Sequence, residues 1–209
     1  MSSEEHPMSF NPVNVSVICE GPTEVEFIKI LSRKHFSPKG IFLKASSVGG
    51  DVSIDKLLWH IKHAPYPVVT TFADYYGFKI KRGTDACQIE NLLKSKISNP
   101  HFIPYLQIHE TEALWFSNKD IMCQTMHADA KQAAAIDKIV SDFNDCPEAI
   151  NNSPKTAPSK RLEVIFKGYE KIVDGKRIAE AMPLSDMISK CPHFAKWLND
   201  IETEAEKVR

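Results

Sequence analysis

The chain has 209 residues, 43% of them hydrophobic and 25% charged, with a formal net charge of −1. That length suits one compact domain with a substantial core; the near-neutral charge supplies no global field for nucleic acid, so a polyanion would need a local basic surface. Apolar runs fall far short of the roughly 18 residues a membrane span needs, the N-terminus lacks a basic-then-apolar secretory layout, and five scattered cysteines without a CxxC pair fit neither a disulfide framework nor a zinc knuckle. A cytoplasmic protein with reduced thiols and no membrane partner is expected.

Residues 1–12, "MSSEEHPMSFNP", are polar, carry two prolines and read as a flexible tail. From Val13 to Cys19 a β-branched apolar string predicts a buried strand. "PTEVEFIKILSRK" then opens a helix at Pro22 or Thr23, with acids in its first turn and Arg33 and Lys34 in its last. "GIFLKASSV" predicts a second strand ending at Gly49 and Gly50. In "SIDKLLWHIKHA", Ile54, Leu57, Leu58 and Ile61 fall at i, i+3, i+4 and i+7 behind a Ser53 cap, the clearest helical period in the chain. "PVVTTFADYYG" predicts a third strand that stops at Asp74, "DACQIENLLKSKI" another amphipathic helix, and "FIPYLQIH" a fourth strand followed by the acids of "HETEALWF".

Strands alternating with helices imply an α/β fold, a mainly parallel sheet of about four strands with right-handed crossovers and flanking helices, over residues 13–118. After Asn118, "DAKQAAAIDKIVSDF", "KRLEVIFKGY", "GKRIAEAM" and "PHFAKWLNDIETEAEKV" predict helices around the polar loop "NNSPKTAPS". Residues 119–209 therefore read as a helical region packed on the core.

Three of the four expected strands end in or near acids, at Glu20, at Asp74, and at Glu110 with Glu112. In an open parallel sheet, ligands bind outside the carboxyl ends of the strands, so these carboxylates are expected to share one cleft. Mg²⁺ takes oxygen ligands and keeps several waters, which makes carboxylates from different strands a fitting set. Taken singly, each acid has a plainer explanation. Glu20 and Glu24 suit a helix N-terminus, Asp74 an Asx-turn before Gly77, and Glu110 and Glu112 the first turn of a short helix.

"EGPTE" after a first strand and an Asp after a later one resemble the TOPRIM fold of topoisomerases, primases and related nucleases. Together with "TTFADYYG", "FIPYLQIHETEAL", "TAPSKRL", "GYEK" and "KCPHFAKWL", they more closely resemble domain-of-unknown-function family 4276, a TOPRIM-like bacterial group, from about Val15 to Leu198. The resemblance implies a Rossmann-like TOPRIM sheet with a helical extension and a nuclease using Mg²⁺ or Mn²⁺. Glu20 would be an acid, base or metal ligand, and Asp74 a metal ligand. It also implies a nucleic-acid substrate and an ATPase partner, often in bacterial defence; a homodimer is compatible with it. One departure stands out, because Tyr76 replaces the second Asp of the Asp-x-Asp signature. Either Glu110 or Glu112 restores the missing charge, or the site is a degenerate nucleic-acid- or nucleotide-binding regulatory subunit of an ATPase complex. A phosphohydrolase acting on a small nucleotide is a third class.

Further marks carry weaker signals. His109, beside Glu110, suits a catalytic or positioning group, although a strand-end histidine is commonly hydrogen-bonded core. Lys79, Lys81 and Arg82 follow Asp74; Lys155, Lys160 and Arg161 surround a helix start, where phosphate binds. Lys160 and Arg161 are expected to face the acid cleft. Tyr75 and Tyr76 suit base stacking as well as ordinary packing. No GxxxxGK[ST], GxGxxG or GxSxG motif occurs, which argues against a P-loop NTPase, a dinucleotide enzyme and an α/β-hydrolase.

Overall fold

The structure, a computed structural model, describes residues 11–78, 84–150 and 154–209. Residues 1–10 of the expected tail, and Lys79, Lys81 and Arg82, lie outside the described residues. The apolar runs become strands β1 (Val13–Cys19), β2 (Ile41–Ser47) and β3 (Val68–Asp74), followed by the two-residue strands β4 (Phe102–Ile103) and β5 (Leu106–Gln107). All described pairings are parallel, in the order β2-β1-β3-β4, with β5 also on β3.

The expected fourth strand is thus two. Pro104 has no N–H for the ladder, so β4 pairs with Val69 and Thr70 while β5 pairs with Ala73 and Asp74. Between them the Thr71 hydroxyl donates to the Tyr105 carbonyl at 2.8 Å and accepts the Tyr105 N–H at 2.9 Å. A side chain therefore bridges the gap and carries the strand line on to Asp74.

Helices α1 (Pro22–Leu31), α2 (Ile54–Lys62) and α3 (Ala86–Lys96) make the crossovers. Side chains alternate across the sheet, as strand geometry requires. Val13, Val15, Val17, Cys19 and Phe72 share a core with α1, whereas Ile18, Val69 and Ala73 share another with α2 and α3. The chain leaves β1 toward β2 on one side and returns to β3 on the other, so the strand order reverses between β1 and β3. That reversal opens a crevice at their carboxyl ends.

A 3₁₀ stretch, Thr111–Ser117, follows β5, and then come α4 (Lys119–Thr125), α5 (Ala130–Asp142), α6 (Pro158–Ile165), α7 (Lys171–Ala181), α8 (Leu184–Lys190) and α9 (Pro192–Lys207). The seven-residue α4 and α8 are too short to show a period, which is why the sequence did not reveal them. Trp197 of α9 is buried, donates its indole N–H to Thr70 Oγ1 at 2.8 Å and stacks on Tyr105 with ring centres 4.6 Å apart. Phe27, Trp115 and Phe194 extend this aromatic core, so the C-terminal helices share one interior with the α1 face of the sheet. Among the described residues no helix is long and apolar enough to cross a membrane.

Candidate functional site

Glu20 follows β1 directly, and its main chain is fixed to the end of β2. Its carbonyl accepts the Gly50 N–H at 2.9 Å and the Ser47 hydroxyl at 3.0 Å. The side chain crosses to the end of β3 and lies against Gly77, where an added Cβ would sit 2.8 Å from the Glu20 Cδ. Its Oε2 is buried and has no hydrogen-bond partner. Burial, and then repulsion from Glu24, push the Glu20 carboxyl up to about 7, against the opposing pull of the backbone at Asp74 and of Lys171.

Two expected results follow from this geometry. An acid whose folded pKa is raised binds its proton more tightly when folded. Its stabilising contribution is full below its unfolded pKa, near 4.3, and is lost as pH rises toward about 7. Glu20→Gln does not titrate, so its melting temperature should gain on wild type between pH 4.5 and 7 and hold that gain above; a pH-independent difference would contradict this. Gly77→Ala drives a methyl into the end of a flexible side chain. It should leave the melting temperature within about 3 °C, roughly 1 kcal/mol for a chain of this size, while lowering any activity of the site at least tenfold.

Asp74 closes β3. Its Oδ1 accepts the Thr111 N–H at 2.8 Å and the Thr111 hydroxyl at 2.9 Å, not the local amide of an Asx-turn. Although Asp74 retains some surface as a residue, enclosure of its carboxyl and then repulsion from Glu24, Glu112 and Glu20 push it well above the usual carboxylate range. Glu24 accepts the Gly21 N–H at 2.8 Å, so the helix-capping explanation holds for it, yet its charge also repels Asp74 and Glu20. Glu112, buried in the 3₁₀ turn, is also pushed up by burial; its Oε1 lies 3.2 Å from Lys171 Nζ. Glu110 accepts the Ser159 N–H at 2.9 Å and the Ser159 hydroxyl at 3.1 Å at the start of α6, and lies 3.7 Å from Lys171.

Lys171 thus pairs with Glu112 and Glu110, and its charge is also felt by Glu20, Glu24 and Asp74. Burial works against its charge, but Glu112 and Glu110 outweigh it and hold Lys171 above the ordinary lysine range. The donors are hard oxygens, and the buried Glu20 Oε2 lacks a hydrogen bond, so the chemistry fits Mg²⁺ or Mn²⁺. Among the described residues, no group of three or more His, Cys, Asp or Glu side chains is already arranged to hold a metal. Glu24, Asp74 and Glu110 are turned to Gly21, Thr111 and Ser159. A cation would therefore use few carboxylates plus water, as Mg²⁺ commonly does, or draw one of them off its present donor.

The family model described as "Domain of unknown function (DUF4276)" matches residues 19–202, a span that includes every acid above and Lys171. The chain belongs to the DUF4276 family. No curated protein matches it. Among solved structures it is similar to the C-terminal region of the Xanthomonas campestris pv. campestris OLD protein, with a TM-score of 0.51 and 12% identity over 93% of this chain and 94% of that one. At that identity the likeness is one of fold.

Other expected site residues of this DUF4276 chain lie around the acids or away from them. His109 sits at the cluster's edge with φ +68°, a left-handed conformation that is uncommon for a residue with a Cβ. Its ring stacks on Tyr76, centres 5.3 Å apart, and its Nδ1 is buried with no hydrogen-bond partner. The Tyr75 hydroxyl donates to the Thr84 carbonyl. The expectation for Lys160 and Arg161 needs correction. Lys160 pairs with Glu163 on an exposed flank, and Arg161 donates to the Thr156 carbonyl at 2.7 Å and lies over the Phe143 ring. Pro158 at the first helical position turns Ser159, not its basic neighbours, toward Glu110. Lys155 is exposed. Sequence reasoning missed Thr111, Ser159, Gly77 and Lys171, although Lys171 closes the "GYEK" motif.

Proposed function

We propose that the protein is a divalent-metal-dependent phosphodiesterase of TOPRIM-like type that cleaves nucleic acid, with Mg²⁺ or Mn²⁺ as cofactor. The observation that carries this reading is the gathering of Glu20, Asp74 and Glu112, with Glu110 beside them, at the β1/β3 crevice, where burial and the neighbouring acids push the first three carboxyls up. Stability alone gives no reason to gather so many acids there. The "EGPTE" motif and the fold likeness to the OLD C-terminal region support it.

Glu20 and Asp74 would hold the cation, with Glu112 or Glu110 supplying the charge absent at Tyr76. Once bound, the cation would stabilise the developing charge on phosphate oxygens and lower the pKa of water. Thr111 orients Asp74, Ser159 orients Glu110, and Lys171 offsets the surplus negative charge beside the phosphate path. Glu20, with its carboxyl near neutrality before a cation enters, is suited to hold or release a proton. The family resemblance supports a cytoplasmic effector beside an ATPase partner.

Tyr76 in place of the second Asp favours one rival reading, a regulatory subunit that binds nucleic acid or nucleotide without cutting it. Incubation with single- and double-stranded DNA and RNA over Mg²⁺, Mn²⁺ and Ca²⁺ separates the two. Cleavage in Mg²⁺ or Mn²⁺ that stops with chelator supports the nuclease. Binding without cleavage under every condition, with and without an ATPase encoded nearby, supports the subunit.

A further inference from the structure

Beside the acids, on the α3 side, lies a cavity of about 280 Å³ that neither the carboxylates nor Lys171 line. Tyr75 and His109, the neighbours of Asp74 and Glu110 in the chain, form the wall toward the acids. Ala86 and Cys87 from the start of α3, Ile108, and His193 from the start of α9 form the rest, with Asp85 at the edge. The walls are held from behind. His193 Nε2 lies 2.9 Å from Glu90 Oε1 and 3.2 Å from the Leu106 carbonyl, and its ring stacks on buried Tyr105 with centres 4.9 Å apart. The His109 ring is held against Tyr76 on a strained backbone.

The chemistry of this cavity differs from that of the acid cluster. Its described lining is aromatic and apolar apart from the two histidines and Asp85, whereas the acid cluster is built of carboxylates. Aromatic and apolar walls with a few polar edges suit a flat, uncharged ring system. Sites that take drug-sized ligands run from about 300 to 1,000 Å³, so a cavity of this size holds one ring system with little besides. We propose that it is a nucleobase subsite, seating the base next to the phosphodiester at the carboxylates. This rests on the nucleic-acid reading above and adds to it that substrate is engaged as an unpaired strand, since a base inside a duplex cannot enter. Stacking contributes about 1–3 kcal/mol per base without sequence readout.

Cys87 provides a direct probe, because it is exposed at the cavity whereas Cys19 and Cys191 are buried and Cys123 and Cys146 half-buried. Alkylation of each cysteine of the full chain is followed by peptide mass spectrometry in Ca²⁺, with and without a five-nucleotide single strand, and strand binding is measured separately by fluorescence anisotropy. Saturating strand should slow Cys87 labelling at least tenfold and leave Cys123 and Cys146 unchanged. A strand made abasic at one position should still bind yet lose that protection. Cys87→Trp, filling the cavity from its exposed edge, should fold normally and weaken binding of the intact strand about tenfold, to the level of the abasic one. A strand that binds by anisotropy while Cys87 reacts at its free rate overturns the subsite and leaves the nuclease reading standing. Absence of binding by any strand overturns both.

Discussion

Asp74→Asn should lower metal-dependent cleavage by about a hundredfold or more while leaving the protein as stable as wild type, or slightly more so. Asn keeps an oxygen to accept the Thr111 N–H and hydroxyl, so the local geometry survives. What disappears is a negative charge that burial and then Glu24, Glu112 and Glu20 already oppose. Metal-ion stabilisation of a transition state is worth several kcal/mol, and each 1.4 kcal/mol is tenfold in rate. A lost ligand therefore reads as at least two orders of magnitude. Relief of repulsion moves stability the other way, a trade common where function opposes stability. Cleavage assays with melting curves in chelator test both halves. A sharp fall in melting temperature with Asn would mark Asp74 as structural and sink the functional assignment.

Lys171→Met should do the reverse and destabilise the metal-free protein, most of all at alkaline pH. Glu112 is almost wholly buried, with a side-chain exposure of 2%, and loses its cation in this variant. Breaking a fully buried pair costs about 3–5 kcal/mol. Lys171 itself is 42% exposed, so solvent screening reduces this to about 2 kcal/mol, or about 4–8 °C for a chain of this size. With the ammonium gone, the pKa of Glu112, already raised by burial, rises further. The deficit should therefore be largest near pH 8 and shrink toward pH 5 as the carboxylates take up protons. Mn²⁺ should raise the melting temperature of the variant more than that of wild type, because it restores positive charge to the same acids. A deficit that ignores both pH and Mn²⁺ would show that Lys171 supports the fold through packing alone.

The fold was legible where residue chemistry acts locally. β-Branched runs marked β1, β2 and β3, and Ser53 with its 3.6-residue period marked α2. In "FIPYLQIH" one apolar run conceals a break at Pro104 that Thr71 bridges from another strand. The acids were legible for a related reason, since each follows an apolar run and parallel topology carries strand ends to one edge. Their partners were not. Lys171, Ser159 and Thr111 reach the cluster through the packing of α7, α6 and the 3₁₀ turn, and no local pattern records which face of a short helix meets a carboxylate. Lys160 and Arg161 show the converse, because a helix start was visible and its rotational phase was not.

The central claim is that the crevice between β1 and β3 binds a divalent cation through Glu20 and Asp74. A crystal soaked in Mn²⁺, with data collected for the manganese anomalous signal, tests it most directly. The expected result is a peak within about 2.5 Å of a Glu20 and an Asp74 carboxylate oxygen, close to the roughly 2.1 Å of a direct bond, with Glu110 or Glu112 in its coordination shell or bound through water. A well-diffracting soak with no peak at this edge, and Glu20 and Asp74 unmoved at saturating Mn²⁺, would contradict it.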